Sequence, residues 1–307
     1  MNTTASSVDW KLEFISQRSK TTFLSWIEQV QQGIAATAAP TATPQERCQS
    51  LSELKQSLLA IRDRIIGNSC CKYFFVRHGL LQALTPLLWL RDESSAEFVR
   101  LLRECQREAL TLLSVLIAQS GEGLSFPVGE SDGLFGNLLG LLKADTDPKF
   151  LEILTRSLCN YARKVPAARG ALFEATTLPV LLSFLSEGRS SSAVVQNICA
   201  LLAAGCDAEA RSRLLLSERV LPQVLSRLTG SVCVAEGSSS SLRVGVVDLK
   251  VLDGTVELLG TLTRDYQEAA EAICSAPVSG RRLPSLPFAL LNVSQLSVET
   301  RLKFALL

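Results

Sequence analysis

Downstream of Gln45 the chain repeats one phrase of apolar and polar positions. Its centre is a short leucine-rich segment, Leu81-Gln82-Ala83-Leu84-Thr85-Pro86-Leu87-Leu88. The phrase returns over Leu134–Leu141, Leu178–Leu185 and Leu221–Leu228, and more weakly from Leu286-Pro287, with first-residue spacings of 53, 44, 43 and 65. Apolar residues recurring at helical spacing predict a short amphipathic helix in each copy. After a polar gap comes a longer helix, carrying Leu112–Leu116, Ser157–Ala162, Asn197–Leu202 or Leu258–Leu262. A third, brief helix is expected before the next copy, over Ala167–Glu174 and Glu209–Ser217. Leu84, Leu88, Leu113, Leu138, Leu158, Leu181, Ile198, Leu225 and Leu259 fall on the inward faces and form the expected core.

Three helices in roughly 40 to 47 residues is the armadillo period. The expected fold is therefore all-α, an armadillo-type α-solenoid, a right-handed superhelix of three-helix repeats. In such an array each repeat buries its apolar face on its neighbours and leaves a long groove. Pro179 and Pro222 fall at the second residue of their short helices, where a missing N–H is tolerated. Gly79, Gly170 and Gly188 fall at or near helix ends. The Ser/Gly-rich stretch 230–245 and the Pro-rich stretch 276–287 read as surface loops. Val244–Val251 could pass for a strand, but with no partner strand in view it reads as loop running into helix. Before the repeats, residues 10–32 read as one helix with Trp10, Phe14, Phe23 and Trp26 as core contacts. The expected organisation is a helical extension over 1–32, a flexible Ala/Thr/Pro linker over 33–46, and an array of about five repeats over 47–307. The chain stops within a long helix, at Lys303–Leu307, so the array reads as truncated.

Composition narrows the function classes. Lys plus Arg number 31 against 30 Asp plus Glu, a net charge of +1 that gives no electrostatic footprint for nucleic acid. Aromatic content is 6%, which favours helices over strands. Nine cysteines, an odd number, lie mostly in apolar helical runs as small buried hydrophobes. Met1–Asp9 is polar, and the apolar run Leu112–Ala118 is far shorter than the roughly 20 residues that span a bilayer. A reduced, soluble chain of the cytoplasm and nucleus is expected. On that reading the sequons at Asn2 and Asn292 are chance matches.

Candidate chemistry is thin. Gly129-Glu130-Ser131-Asp132-Gly133 matches the nucleophile-elbow pattern, which needs a preceding strand and a histidine base. The sole histidine, His78, sits just before Gly79, where a partly positive ring would suit a helix end. Ser131 reads as part of a polar inter-repeat loop. Cys70 and Cys71 are adjacent, and adjacent side chains diverge on a helix, so no zinc site is expected. Gly121-Glu122-Gly123 lacks the third glycine of a phosphate loop. No enzyme activity, cofactor, metal, small-molecule substrate or membrane is expected. Basic residues cluster at Arg100, Arg103 and Arg107, and again at Arg156, Arg163, Lys164 and Arg169, interspersed with Glu97, Glu104, Glu108 and Glu152. They read as a solvated face or as a patch for an acidic partner. Peptide-clamping arrays use an Asn on successive long helices, because its amide both donates to and accepts from a peptide backbone. Here that column reads Val115, Asn160, Ala200 and Thr261, so there is no ladder. The candidate protein-binding residues are Asn160, Arg156, Arg163 and Lys164.

Leu58–Asn68, containing Ile65-Ile66-Gly67-Asn68, then Lys72, Phe75 and Gly79 before the leucine-rich helix, resembles the first repeat of the armadillo-repeat-containing protein 8 family. Asp147-Pro148-Lys149-Phe150-Leu151-Glu152 is similar to that family's opening of a long helix. The resemblance covers 45–307, and the Ala/Thr/Pro stretch and Ser-rich insert depart from it. It implies a non-catalytic scaffold subunit of a CTLH/GID-type ubiquitin ligase, partnered by other subunits and serving proteasomal degradation. The alternatives are an importin-like adaptor for peptide cargo and an armadillo co-factor of a chaperone ATPase.

Overall fold

The computed structural model describes residues 10–39, 41–91, 95–118, 128–144, 146–186, 190–206, 220–236, 242–246, 248–264, 267, 270–271, 277–278 and 281–282. It divides into two compact units, one ending at Asp145 and one beginning at Thr146.

The first unit contains α1 (Trp10–Glu13), α2 (Gln17–Ala38), α3 (Pro44–Ile65), α4 (Ser69–Arg77), α5 (Leu80–Trp89), α6 (Ala96–Ala118) and α7 (Val128–Ala144). Three expectations for its start are corrected. Residues 10–32 form two helices, because Ser16 Oγ accepts the Ser19 N–H at 3.2 Å and opens a new helix. Phe14, between them, is 74% exposed and not a core contact. The expected linker over 33–46 is largely helical: α2 runs on to Ala38, and α3 starts at Pro44. Its alanines are strong helix formers. Ile34 and Thr37 also continue the buried stripe of Phe23, Ile27 and Val30 at helical spacing. That stripe lies on α3, so α2 is packed into the unit and is not a tethered extension. Phe23 adds an aromatic cluster with Phe74 and Phe75, at centroid distances of 5.6 and 5.1 Å.

Here α3 is flanked by α2 and α6, while α5 packs on α2, α6 and α7. The triplet α4, α5 and α6 has the brief, short and long order expected from the sequence. Gly79 enters α5 with φ 81°, a left-handed conformation that disfavours any other residue.

The second unit contains α8 (Pro148–Lys164), a 3-10 helix (Pro166–Phe173), α9 (Leu178–Ser183), α10 (Ser192–Gly205), α11 (Val220–Gly230) and α12 (Leu249–Arg264). Its long helices form a row in which α10 packs on both α8 and α12. Strands β1 (Val232–Glu236) and β2 (Leu242–Val246) pair antiparallel, with Val232 opposite Val246 and Glu236 opposite Leu242. This corrects the loop readings of residues 230–245 and of the start of the valine-rich stretch, whose end at Leu249–Val251 does run into helix as expected. The partner of β2 is the alternating Val-Cys-Val run that precedes the Ser-rich segment in the sequence, a hairpin pattern. A second, two-residue hairpin joins β3 (Pro277–Val278) to β4 (Arg281–Arg282) within the Pro-rich stretch expected to be loop. Among the described residues the other elements are helical. The expected brief helix after α8 is present in 3-10 form. The fifth repeat copy, the brief helix at 209–217 and Gly188 lie outside the described residues.

Helices α3, α6, α8, α10 and α12 open on side-chain caps, which supply acceptors for first-turn N–H groups that have no helical partner. Thr43 and Glu46 form a reciprocal capping box on α3. The Phe98 N–H donates to Ser95 Oγ (3.1 Å), those of Lys149 and Phe150 to Asp147, that of Val194 to Ser191, and those of Lys250 and Val251 to Asp248. Helix ends are closed from neighbours. Arg47 Nε donates to Thr37 O at 2.8 Å, and Arg227 Nε donates to Leu185 O at 2.7 Å. The buried Gln106 amide donates to Leu87 O at 3.1 Å and Leu90 O at 2.9 Å. All nine expected core residues are buried; Leu225, at 8% exposed, is the outermost.

Candidate functional site

The four candidate binding residues share α8. Arg156, Asn160 and Arg163 follow at helical spacing on one face, with Lys164 beside them at the helix end. Arg156, Arg163 and Lys164 are exposed and Asn160 is half-buried. The opposite face holds Leu154, Leu158, Tyr161 and Ala162 in the core. Asp147 fixes the start of α8, and Arg169 closes its end by donating to Ala162 O at 2.7 Å. Arg169 is therefore committed to the fold and is not part of an open basic patch. Arg163 is also engaged: its guanidinium meets Glu257 Oε1 of α12 at 2.9 Å, passing the intervening helix α10.

Polar groups with fixed partners fasten this row of helices. Asn197 Nδ2 donates to Glu152 O (3.2 Å) and Thr155 Oγ1 (3.1 Å), joining α10 to α8. Gln196 Nε2 donates to Asp253 Oδ2 at 3.1 Å, and Ser192 bonds to Asp248, joining α10 to α12. A Cβ added at Gly254 would meet Gln196 Cα at 2.7 Å, so the α10 and α12 backbones approach as only glycine permits. In the expected column, Ala200 is buried and offers no polar group, and Thr261 Oγ1 donates to Glu257 O of its own helix.

Other sequence candidates fare differently. Gly129–Gly133 lies within α7, so the expected inter-repeat loop around Ser131 is helix, and the elbow geometry is not formed there. His78 does end α4, but its ring stacks on Phe74 at 4.2 Å. Burial, with Arg77 beside it, lowers its pKa from the usual imidazole value, so the ring is neutral at neutral pH, not partly positive. Burial pushes the Cys105 and Cys199 thiols up to about 12 and Cys159 to about 11, leaving them as unreactive packing groups. The glutamates among the arginines of α6 do not simply balance them in place. Glu104 accepts from Lys55 of α3 (2.8 Å) as well as Arg100, and Glu108 accepts from Arg62 of α3 (2.7 Å).

An open depression of about 1040 Å³ lies where α3 and α6 start, but its Thr43, Glu46 and Ser95 are committed to capping. Among the described residues no His, Cys, Asp and Glu cluster is placed to hold a metal, and no helix is long and apolar enough to cross a membrane.

Sequence reasoning missed Glu257, because the repeat phrase links residues of equivalent position and not those joined across a helix. It also missed the caps. The pattern of Ser, Thr or Asp just before an apolar-periodic run at 43, 95, 147, 191 and 248 was the available signal.

No protein-family model and no curated protein matches the chain. Among solved structures it is similar to a designed armadillo repeat protein, with TM-score 0.60 and 16% identity over 90% of this chain and 97% of that one. An engineered protein matches with TM-score 0.62 and 15% identity, over 90% and 96% of the two chains. A further designed armadillo repeat protein, in complex with peptide (KR)4, matches with TM-score 0.57 and 16% identity, over 90% and 97%. The fold is an all-α, armadillo-type solenoid.

Proposed function

We propose, from an armadillo-type solenoid as premise, that this chain is a non-catalytic scaffold that binds other proteins along its long helices. The observation that carries this reading is the α8 face: three exposed basic side chains and a half-buried amide on a helix whose opposite side is locked in the core. Such a surface holds a ligand by charge and hydrogen bonds on a preorganised helix and supplies no nucleophile–base pair. The peptide held by one designed armadillo neighbour supports the same use of the fold.

The more specific reading is a subunit of a CTLH/GID-type ubiquitin ligase in the cytoplasm and nucleus. It rests on the resemblance of Ile65-Ile66-Gly67-Asn68 and Asp147-Pro148-Lys149-Phe150 to the armadillo-repeat-containing protein 8 family. In the structure these phrases have local physical roles. Gly67 has φ 72°, Asn68 caps α4, and Asp147-Pro148 opens α8. Affinity purification of the tagged chain from cell extract, followed by mass spectrometry, tests both levels. Recovery of RING-bearing and LisH/CTLH-bearing subunits supports the ligase reading. Recovery of a chaperone ATPase or transport cargo keeps the scaffold and removes the ligase. No specific protein partner would remove both.

A further inference from the structure

Building on the protein-binding reading, we propose that α8 receives an acidic segment of a partner protein, and that Glu257 occupies the place of that segment's carboxylate in the free chain.

The solvent face of α8 carries Lys149, Arg156 and Arg163 at intervals of seven residues. That interval turns a helix by only about 20° per step, so the three cations form one near-straight stripe. All three are exposed, and Lys164 extends the charge at the helix end. Glu152 is the one acid of α8 on this face, and it is half-buried. Arg163 finds its counter-charge on α12, two helices along the row, at 2.9 Å. The arginine side chain is 49% exposed and the glutamate 30%. An ion pair this wet adds little net stability, because water competes for both charges and two long side chains give up rotamer freedom. A carboxylate from another chain can therefore exchange with Glu257 without unfolding anything. The seams on either side of α10 are held by separate groups, Asn197 and the Gln196–Asp253 bond, and do not need the bridge. The partner chemistry follows from the stripe: carboxylates at helical or extended spacing, opposite in charge to the (KR)4 peptide of the designed neighbour.

The test is fluorescence anisotropy with the full chain and two labelled peptides, (KR)4 and a peptide of equal length with Glu and Asp in place of Lys and Arg. The acidic peptide is expected to bind, and to bind more weakly as salt rises from about 50 to 200 mM. Glu257→Gln removes the internal competitor and should tighten binding about two- to five-fold. Arg156→Gln, at an exposed position, should weaken it by a similar factor. Circular dichroism melting establishes that each variant is folded. Should Glu257→Gln unfold, Arg156→Gln and Lys149→Gln carry the test alone. Preference for (KR)4, or an affinity that these substitutions leave unchanged, overturns the proposal. If the affinity purification still recovers specific partners while the acidic peptide does not bind, only this inference fails and the scaffold reading stands.

Discussion

The two units fasten their long helices by different chemistry. In the first, α3 and α6 are joined by long charged side chains at their margin, Lys55 to Glu104 and Arg62 to Glu108. In the second, α8, α10 and α12 are joined mainly by short polar groups, Asn197, Gln196 and Ser192, and by a backbone approach that leaves room only for Gly254. Long ion pairs tolerate small shifts in helix spacing and respond to salt. A glycine contact fixes the spacing and is insensitive to salt. The fold thus specifies the layer of long helices but not the means of holding it, and the second unit should be more sensitive to volume and the first to ionic conditions.

The most damaging change attacks what both units share, the buried leucine of a long helix. Leu158→Asp buries a carboxylate with no partner and should cost about 4–5 kcal/mol or more. Far-ultraviolet circular dichroism should show lost helicity. A soluble, fully helical variant would show that Leu158 is not the core position assigned to it.

Glycine substitutions differ in sign with what surrounds the glycine. Gly254→Val drives a branched side chain into the Gln196 backbone and should lower stability by about 2–3 kcal/mol in urea unfolding. Gly136, in α7, is exposed and has open space around its Cβ position. Gly136→Ala should therefore raise stability by about 0.5–1 kcal/mol through helix propensity alone. Equal effects from the two would remove the distinction between a contact glycine and a merely helical one.

Between these extremes lies the amide that closes α5. Gln106→Leu keeps the volume but removes one of two donors from each of the Leu87 and Leu90 carbonyls, which retain the Leu90 N–H and Arg91 Nη1 respectively, at a cost of about 0.5–1.5 kcal/mol. A Gln106→Glu variant helps to tell lost donation from lost packing. At neutral pH it keeps the shape, presents a carboxylate to carbonyls and should be the worse of the two. If Gln106→Leu proves neutral, the Leu90 N–H and Arg91 Nη1 suffice for those carbonyls.

The helices and core were legible because burial leaves a periodic mark. The apolar spacing that selected Leu84, Leu113, Leu158 and Leu259 is also the spacing that faces them inward. The start of the chain was less legible, since Ala35–Ala38 carries no large apolar residue. Its helicity depends on Ile34 and Thr37 finding α3, a contact made by residues distant in sequence. The hairpin is not legible from Val244 alone, because a strand is recognised by its partner, here Val234. At the candidate site the α8 residues were readable as a helical face. Arg163's attachment to Glu257 was not, because it depends on how three helices lie side by side.

The smallest expected effect is also the one most particular to the first unit. Lys55→Gln should cost only about 0.2–1 kcal/mol at low salt, and the difference from the parent should shrink as salt is added. Its pH dependence has a definite sign. The hydrogen bond from Lys55, with help from Arg100, holds the Glu104 carboxyl below its ordinary range, against a smaller opposing effect of burial. A carboxylate lowered in the folded state contributes stability that is fully present above its unfolded pKa of about 4.3 and is lost as pH falls through the lower folded value. The parent should thus lose part of its advantage over Lys55→Gln below about pH 4, and keep it unchanged from about pH 5 to 8. Gln196→Leu is the matched change in the second unit, where a neutral amide donates to Asp253. Its cost should vary less with salt than that of Lys55→Gln. A salt response of equal size at both seams would show that the contrast between charged and close-packed fastening is not energetic.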